Sequence, residues 1–456
     1  MRTALLSLLL LCGRMWPSVE RVFLRIVLVI MVAAIAKSMG FAEGRAQVAP
    51  LMRDFMGING HFAFRPELYR PVCGLVRNYH PTVWDLADDT SRLPDYPLAK
   101  NKVNWVDLYG GWKRDGFRID ACLQYESIRL PEWKNLESDT YAYGKAFAAA
   151  FGPSSRDLVE SAEIGNEPAD WDTAAYRKVF ENMARGLRAG DPKLKIAGCA
   201  SDAIAPDQYS KAASVFQGLE DLYDVLNIHT YSMIEGYPTW RRVWPEHDGI
   251  RYLKVVTDML AYRDAHAPGK QVWVTEFGYD AGTKKPGSGD FARWVSSTET
   301  EQAQWIVRSY LIFSSLGLDR AYLYYFNDSD EPILHGSSGI TRNFAPKPAY
   351  YAMAQLYKTL GDYRFSRIVK EEKDDLYIFE YVNPEKPGQP VWVIWSPTGT
   401  QRVAIKQIAV PGRLVKAEAM PVRAGGAEKA NFQMADGVLE LHVTESPVYL
   451  WLDRRS

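Results

Sequence analysis

Two glutamates draw attention through the residues around them. Glu167 ends the run Glu163-Ile-Gly-Asn166-Glu167-Pro168, and Glu276 ends Val272-Trp-Val-Thr275-Glu276, which continues as Phe277-Gly278. Each follows a short apolar, β-branched stretch, so each is expected at the end of a strand. A pair of carboxylates facing one site can divide a substitution between them. One protonates a departing oxygen, and the other attacks carbon or activates a water. Neighbouring charge must hold their pKa values apart for one to be protonated near neutral pH. Arg77 is the cation expected to keep Glu276 ionised, and Tyr231 is a candidate hydrogen-bond donor to it. An isolated glutamate is better explained as a helix cap or an arginine partner. That explanation fits poorly when Asn-Glu-Pro and Thr-Glu-Phe-Gly both end strands.

Residues so far apart in sequence need a scaffold that gathers strand ends at one face. From about residue 55 the chain repeats a short apolar run, polar residues and then a helical pattern. Eight strands are expected, at 56–59, 74–79, 117–123, 161–166, 194–199, 225–229, 271–276 and 321–326. The clearest helix spans 172–189, with Ala175, Val179, Met183 and Leu187 on one face, and Gly190-Asp191-Pro192 ends it. Strands alternating with helices imply a parallel sheet, and at this length a closed (β/α)8 TIM barrel is the economical solution, placing the fold in the α/β class. Near Gly361 the helical period stops. Short strands at 376–381, 391–395, 402–408, 415–420, 438–442 and 448–452 follow, punctuated by Gly and Pro, as in a small β-sandwich. The expected division is a leader at 1–46, the barrel at 47–361 and the sandwich at 362–456.

In such a barrel the site lies at the C-terminal ends of the strands. The second strand ends in Val76-Arg77-Asn78-Tyr79-His80-Pro81, the sixth in Asn227-Ile-His229-Thr-Tyr231, and the eighth in Tyr324-Tyr-Phe326-Asn327-Asp328. Arg77, His80 and Asn327 are therefore candidate substrate contacts, together with Trp240 and Trp244 from the long loop after strand six. A helix start after Pro81 explains His80 and Trp84 equally well, and packing against a neighbouring loop would explain the two tryptophans. Glu163 is expected to point into the barrel and order the site. Asp328 and Asp330 lack an ordered calcium-loop spacing. Neither a metal nor a cofactor is expected.

Asn166-Glu167-Pro168, His229-Thr-Tyr231 and Thr275-Glu276-Phe277 together resemble the large clan of retaining glycosidases with a TIM barrel and glutamates on strands four and seven. Within it the pattern is most similar to glycoside hydrolase family 39 and its neighbours, which include β-xylosidases, α-L-iduronidases and hydrolases of bacterial exopolysaccharides. The resemblance spans residues 48–453. It implies that Glu167 is the acid/base and Glu276 the nucleophile. It also implies that Asn166 binds the hydroxyl next to the anomeric centre, while His229 and Tyr231 line the sugar site before the cleaved bond. The tryptophan common in the clan near the end of strand eight is not evident, since Phe326-Asn327-Asp328 stands there. The expected substrate is a β-linked poly- or oligosaccharide, with a bacterial exopolysaccharide as one candidate. Transglycosylation on the same residues, a carbohydrate-binding scaffold without turnover and an envelope assembly protein are the competing classes.

Composition narrows the partners. The 456 residues carry a net charge of −1, which gives no electrostatic case for a nucleic acid or an anionic membrane surface. Arg21 and Arg25 precede an apolar run at 26–36, and small residues follow at 44–46, the order of a signal peptide. A second apolar run at 4–12 makes the segment long for a signal. A start at Met15 or an uncleaved N-terminal anchor are the alternatives, and each places the rest of the chain outside the cytoplasm. Cys73, Cys122 and Cys199 beyond the leader are odd in number and lack metal-type spacing, so stability is not expected to rest on disulfides. The sequence leaves the oligomeric state open.

Overall fold

The computed structural model describes residues 48–60, 65–86, 88–97, 99–100, 102–435 and 437–454. The segment 1–46, expected from its sequence to be a leader, lies outside the described residues. Eight parallel strands form the barrel: β1 (Met56–Asn59), β2 (Leu75–Pro81), β3 (Arg118–Gln124), β4 (Ser161–Ile164), β5 (Lys195–Asp202), β6 (Val225–His229), β7 (Gln271–Phe277) and β8 (Arg320–Leu323). Each pairs with its sequence neighbours, and β1 pairs with β8 to close the cylinder. The outer layer contains α1 (Trp105–Arg114), α2 (Leu136–Phe151), α3 (Thr173–Gly190), α4 (Tyr252–His266), α5 (Glu299–Ser315) and α6 (Pro348–Leu360). In α3, Ala175, Val179, Met183 and Leu187 are all buried, and the Asp172 side chain caps the first turn by accepting from the Ala175 amide. The β5–β6 connection differs from the expected alternation. It contains a two-residue strand, Lys211–Ala212, and two 3₁₀ turns, Ala213–Phe216 and Glu220–Leu222, in place of an α-helix.

Strand alternation decides what faces the barrel axis. Leu75, Ala197, Val225, Trp273 and Tyr322 meet in one apolar layer that plugs the interior. Above it the inward positions become polar, and the site is built there. Gly57 belongs to this packing, because a Cβ on it would come within 2.3 Å of the Tyr322 ring.

After α6 the chain becomes antiparallel. Strands β9 (Arg364–Glu372), β10 (Leu376–Asn383), β11 (Lys386–Trp395), β12 (Ala404–Ala409), β13 (Arg413–Ala419), β14 (Glu428–Lys429), β15 (Phe432–Ala435), β16 (Val438–Val443) and β17 (Val448–Asp453) form two sheets, ordered β9-β10-β11-β17-β13-β14 and β12-β16-β15. The central strands β10 and β17 of the larger sheet are buried on both faces, while the edge strands β9 and β14 are largely exposed. Tyr377, Phe379 and Tyr381 of β10 join the barrel's core, while Leu376 and Ile378 join Ile408, Leu439 and Leu441 of the small sheet. Such a short segment needed the barrel to cover one face, and this packing supplies that cover. A buried ion cluster crosses the same junction. Arg308 of α5 is fully buried and donates to Glu246 from the loop after β6 and to Glu445 from the sandwich. Cys73, Cys122 and Cys199 are free and buried. Among the described residues no helix is long and apolar enough to cross a membrane.

Candidate active site

The site is organised around the Arg77 guanidinium, which is fully buried at the inner face of β2. Its Nε and Nη2 donate to the two oxygens of Glu163, at 2.8 and 2.9 Å. Nη1 donates to Glu276 Oε1 at 2.8 Å and to Asn59 Oδ1 at 2.9 Å, and Nη2 also donates to Asn166 Oδ1 at 2.8 Å. All five donors of the planar fork are therefore engaged, an arrangement a lysine could not reproduce. Glu163 points into the barrel and neutralises Arg77 from below. Asn59 is fixed in turn, because its Nδ2 donates to the carbonyls of Thr275 and Leu323.

Glu276 reaches this cation because of an irregularity in β7. His229 pairs with Glu276 where Ile228 pairs with Val274, and Leu323 pairs with Phe277 where Ala321 pairs with Val274. One extra residue of β7 opposes each neighbouring strand, so Thr275 and Glu276 both reach the interior, where regular alternation would send one of them outward. Glu276 Oε1 also accepts from the Tyr79 hydroxyl, and Oε2 accepts from the Tyr231 hydroxyl at 2.7 Å. Burial pushes this carboxyl up. The charges of His229 and Arg77 and the two phenol hydroxyls outweigh burial and bring it to about 2. It is an ionised carboxylate at any ordinary pH.

Glu167 arrives differently. β4 ends at Ile164, and Gly165 follows with a φ of +83°, in the left-handed region, where a Cβ would lie 2.6 Å from the Tyr125 ring. The turn swings Asn166 and Glu167 over the mouth. Glu126 steadies it by accepting from the Asn166 amide at 3.0 Å, and burial raises the Glu126 carboxyl to about 7. With its Oδ1 held by Arg77, Asn166 has its Nδ2 donors left for another partner. The Glu167 side chain is 24% exposed against 6% for Glu276. His229 lies between them, with Nδ1 2.7 Å from Glu167 Oε1 and 3.7 Å from Glu276 Oε2. Burial works against a charged imidazole, but Glu276 and the hydrogen bond to Glu167 outweigh it and hold the His229 pKa above its usual value. One donor atom from each of Glu167, His229 and Glu276 lies within 4.8 Å of the other two, a spacing that an ion could also span. Arg77 already supplies a cation beside Glu276.

The structure brings Arg77, Asn166, Glu167, His229, Tyr231 and Glu276 together. It does not bring the other candidates to this group. His80 alternates with Tyr79 and faces outward. Fully buried, it stacks on Trp105 at 3.9 Å and bonds Asp85 at 2.6 Å and Tyr109 at 2.8 Å. It is a core histidine, and the expectation that it touches substrate is corrected. Trp244 is corrected likewise, because its ring lies against Gly399 of the sandwich and edge-on to His247. Asn327 uses its Oδ1 to accept from Thr341 Oγ1 and the Phe344 amide, which closes the loop beyond β8. Asp328 is taken up by Lys347 and Arg342, and Asp330 by Thr283 and Arg342. Trp240 lies in the hairpin after β6, closed by the Met233–Arg242 bridge. It lies 4.9 Å from the Phe291 ring and 5.1 Å from Tyr237, which is 69% exposed.

Several residues of the site were not anticipated. Tyr79 carried a usable signal, since it lies two residues beyond Arg77 on the same strand face. Asn59 and Glu126 carried none. The eighth strand ends at Leu323, three residues earlier than expected. Tyr324 is thus the aromatic at that strand end, half-exposed and beside Tyr325 and His335.

No protein-family model matches the chain, and no curated protein is similar to it in sequence. Solved structures do share its fold. A family 39 glycoside hydrolase from Bacteroides cellulosilyticus WH2 superposes with a TM-score of 0.66 at 16% identity, covering 88% of this chain and 82% of its own. A glucosidase from Croceicoccus marinus gives 0.61 at 13% identity, covering 90% and 98%. A family 51 α-L-arabinofuranosidase from Bifidobacterium longum gives 0.57 at 13%, again covering 90% and 98%.

Proposed function

We propose that this chain is a retaining glycoside hydrolase that cleaves a β-linked poly- or oligosaccharide by double displacement. The observation that carries the reading is the pairing of an ionised Glu276 with Glu167 across the mouth, their nearest oxygens within 4.8 Å. Retaining enzymes hold their carboxyl groups about 5–5.5 Å apart, and inverting enzymes about 6.5–9.5 Å to admit a water. In the first step Glu276 bonds to the anomeric carbon as the glycosidic bond breaks, and Glu167 gives its proton to the departing oxygen. In the second, water attacks that carbon, the bond to Glu276 breaks and Glu167 takes up the water's proton. Arg77, Tyr79 and Tyr231 keep Glu276 charged and aimed. The folds shared with glycoside hydrolases of families 39 and 51 support the same chemistry.

A polymeric substrate is favoured by the loop after β6. Residues 232–243 form a hairpin, closed by the Met233–Arg242 bridge, that rises directly from Tyr231. Its base is pinned by a buried Arg242–Asp280 pair, and its tip carries Tyr237 and Trp240 against Phe291. An exposed Tyr237 backed by the partly buried Trp240 and Phe291 suits stacking on the apolar faces of sugars beyond the cleaved bond. A bacterial exopolysaccharide acted on outside the cytoplasm fits both this aromatic cluster and the composition of residues 21–46.

The test separates the two glutamates. Glu167→Ala should show a burst with a dinitrophenyl glycoside, which needs no acid, followed by slow turnover. Azide should restore the rate and give a glycosyl azide of retained configuration. Glu163→Ala should show no rescue. Rescue of Glu163→Ala with Glu167→Ala left inert would mean that the wrong acid has been named.

A further inference from the structure

Behind His229 lies a short polar chain that the proposed reaction does not use. His229 Nε2 is 3.0 Å from Thr275 Oγ1. The Thr275 hydroxyl donates to Asn227 Oδ1, and Asn227 Nδ2 donates to the Gly198 carbonyl at 3.4 Å. Asn227 and Thr275 are completely buried. The chain exists because the β7 bulge leaves Thr275 facing inward beside Glu276, and because Asn227 sits two residues before His229 on the inner face of β6.

Donor counting fixes the protons along this chain. A carbonyl only accepts, so the Asn227 amide must turn its nitrogen to Gly198 and its oxygen to Thr275. A hydroxyl has one hydrogen, and that of Thr275 is given to Asn227. Its oxygen can then only accept from His229, so Nε2 carries a proton. A neutral imidazole protonated at Nε2 presents a bare lone pair at Nδ1. That lone pair lies 2.7 Å from Glu167 Oε1.

We propose that Thr275 and Asn227 are positioning residues that lock His229 in its Nε2–H tautomer and thereby leave one shared proton between its Nδ1 and Glu167. The inference rests on the glycosidase reading for its kinetic consequence but not for the tautomer itself. A bare Nδ1 opposite an oxygen at this distance requires one proton between them. Glu167 and His229 therefore share a single proton, held either as the carboxylic acid or as the imidazolium. Once Glu167 has given it to the departing oxygen, its carboxylate faces an unprotonated nitrogen and readily takes a proton back from the attacking water. The other tautomer would reverse this. Its Nδ1–H would donate to an ionised Glu167 and hold it in the form that cannot protonate a leaving group. To adopt it, the Thr275 hydroxyl must turn onto Nε2 and leave Asn227 Oδ1 without a donor in a buried layer. The charged and titratable groups facing the pair are Glu276 from β7, Arg77 and Tyr79 from β2, Tyr231 from beyond β6, and Tyr324 and His335 from beyond β8. None of them can replace the Thr275 contact at Nε2.

The tautomer can be read without any substrate. The full chain has seven histidines. Labelled with ¹⁵N-histidine, their ring nitrogens and protons can be correlated by NMR, and His229 assigned by its loss in His229→Gln. The wild-type protein should show His229 protonated at Nε2 when neutral. Thr275→Ser should keep that pattern, and Thr275→Val should shift the ring toward Nδ1–H. A neutral wild-type His229 protonated at Nδ1 and bare at Nε2 overturns the proposal even if no variant folds, and so does a neutral Thr275→Val ring that stays Nε2–H. The kinetic arm compares phenyl and dinitrophenyl glycosides. Thr275→Val should lose about 10–100-fold more kcat/KM on the phenyl substrate than on the dinitrophenyl one, the range expected from orphaning one buried hydrogen-bonding group. Its pH profile should lose the acid form that Thr275→Ser retains. An equal loss on both substrates overturns the proposal. Failure of the wild-type protein to turn over any aryl glycoside would instead count against the glycosidase reading and leave the tautomer measurement standing.

Discussion

Glu276→Gln should abolish turnover, and it should also make the protein less stable. Removing a buried charge from an active site usually relieves the fold, so the sign is informative. Here the surroundings are built for the charge. Arg77 and the Tyr79 hydroxyl meet Oε1, the Tyr231 hydroxyl meets Oε2, and His229 lies 3.7 Å away. Moving the carboxyl from its usual 4.5 to about 2 corresponds to on the order of 3 kcal/mol of folding free energy at neutral pH, at ~1.4 kcal/mol per pH unit. Because the folded pKa is depressed, that contribution is present above pH 4.5 and is lost as pH falls toward 2. His229 has the opposite sign. Its raised pKa adds stability below about 6.5, lost as pH rises through the folded value, and Glu276 is the main group that raises it. The gap between wild type and Glu276→Gln should therefore be widest between about pH 4.5 and 6.5, shrink to roughly half by about pH 3 and close near pH 2. Urea denaturation followed by tryptophan fluorescence at pH 3, 5.5 and 8 measures it, with equal slopes required for the comparison. A variant as stable as wild type at pH 5.5, or a gap that does not shrink in acid, would refute the view that the fold favours the ionised nucleophile.

The other expectations concern separate parts of the molecule. Arg308→Met strands Glu246 and Glu445 without their cation and should lower stability by about 3–5 kcal/mol. Adding Glu246→Gln and Glu445→Gln should restore most of it, and recovery of none would place the effect in packing. Glu126→Gln keeps an acceptor for the Asn166 amide and removes a carboxyl whose pKa burial has raised to about 7. It should stabilise the protein above pH 7, where wild type must ionise that buried group, with little effect below pH 4.5, and a melting series against pH decides it. Trp240→Ala should raise KM on a polysaccharide while leaving an aryl monoglycoside nearly unaffected, and equal changes on both would remove the aromatic cluster from substrate binding. A chain beginning at Gln47 should be soluble without detergent, and aggregation relieved only by lipid would argue against reading residues 1–46 as a leader.

Strand periodicity carried most of the site and also shows where sequence reading fails. Arg77 and Tyr79 on β2, and Asn227 and His229 on β6, follow a period of two, so the same rule that places Arg77 inward places His80 outward in the helical layer. His80 was named because of its type, and its parity was the better guide. Two steps broke the period and could not be read locally. Gly165 is required both by its left-handed φ and by the Tyr125 ring, forty residues earlier in the chain, which leaves no room for a Cβ. The β7 bulge exists relative to β6 and β8, and the residues of β7 alone do not encode it. Yet that one extra residue determines the chemistry. With regular alternation either Glu276 would lose Arg77 and its two tyrosines, or Thr275 would lose His229. The charge on Glu276 and the tautomer proposed for His229 thus depend on a single irregularity, and a deletion that made β7 regular should damage both at once. Trp244 and Asn327 were misplaced for a related reason. Both lie in loops whose packing partners, Gly399 and the 341–344 turn, come from distant or irregular chain. An aromatic or amide in a barrel loop is equally compatible with sugar and with protein. Trp240 differs from Trp244 in what lies opposite it, Phe291 and the exposed Tyr237 where Trp244 faces the neighbouring sandwich.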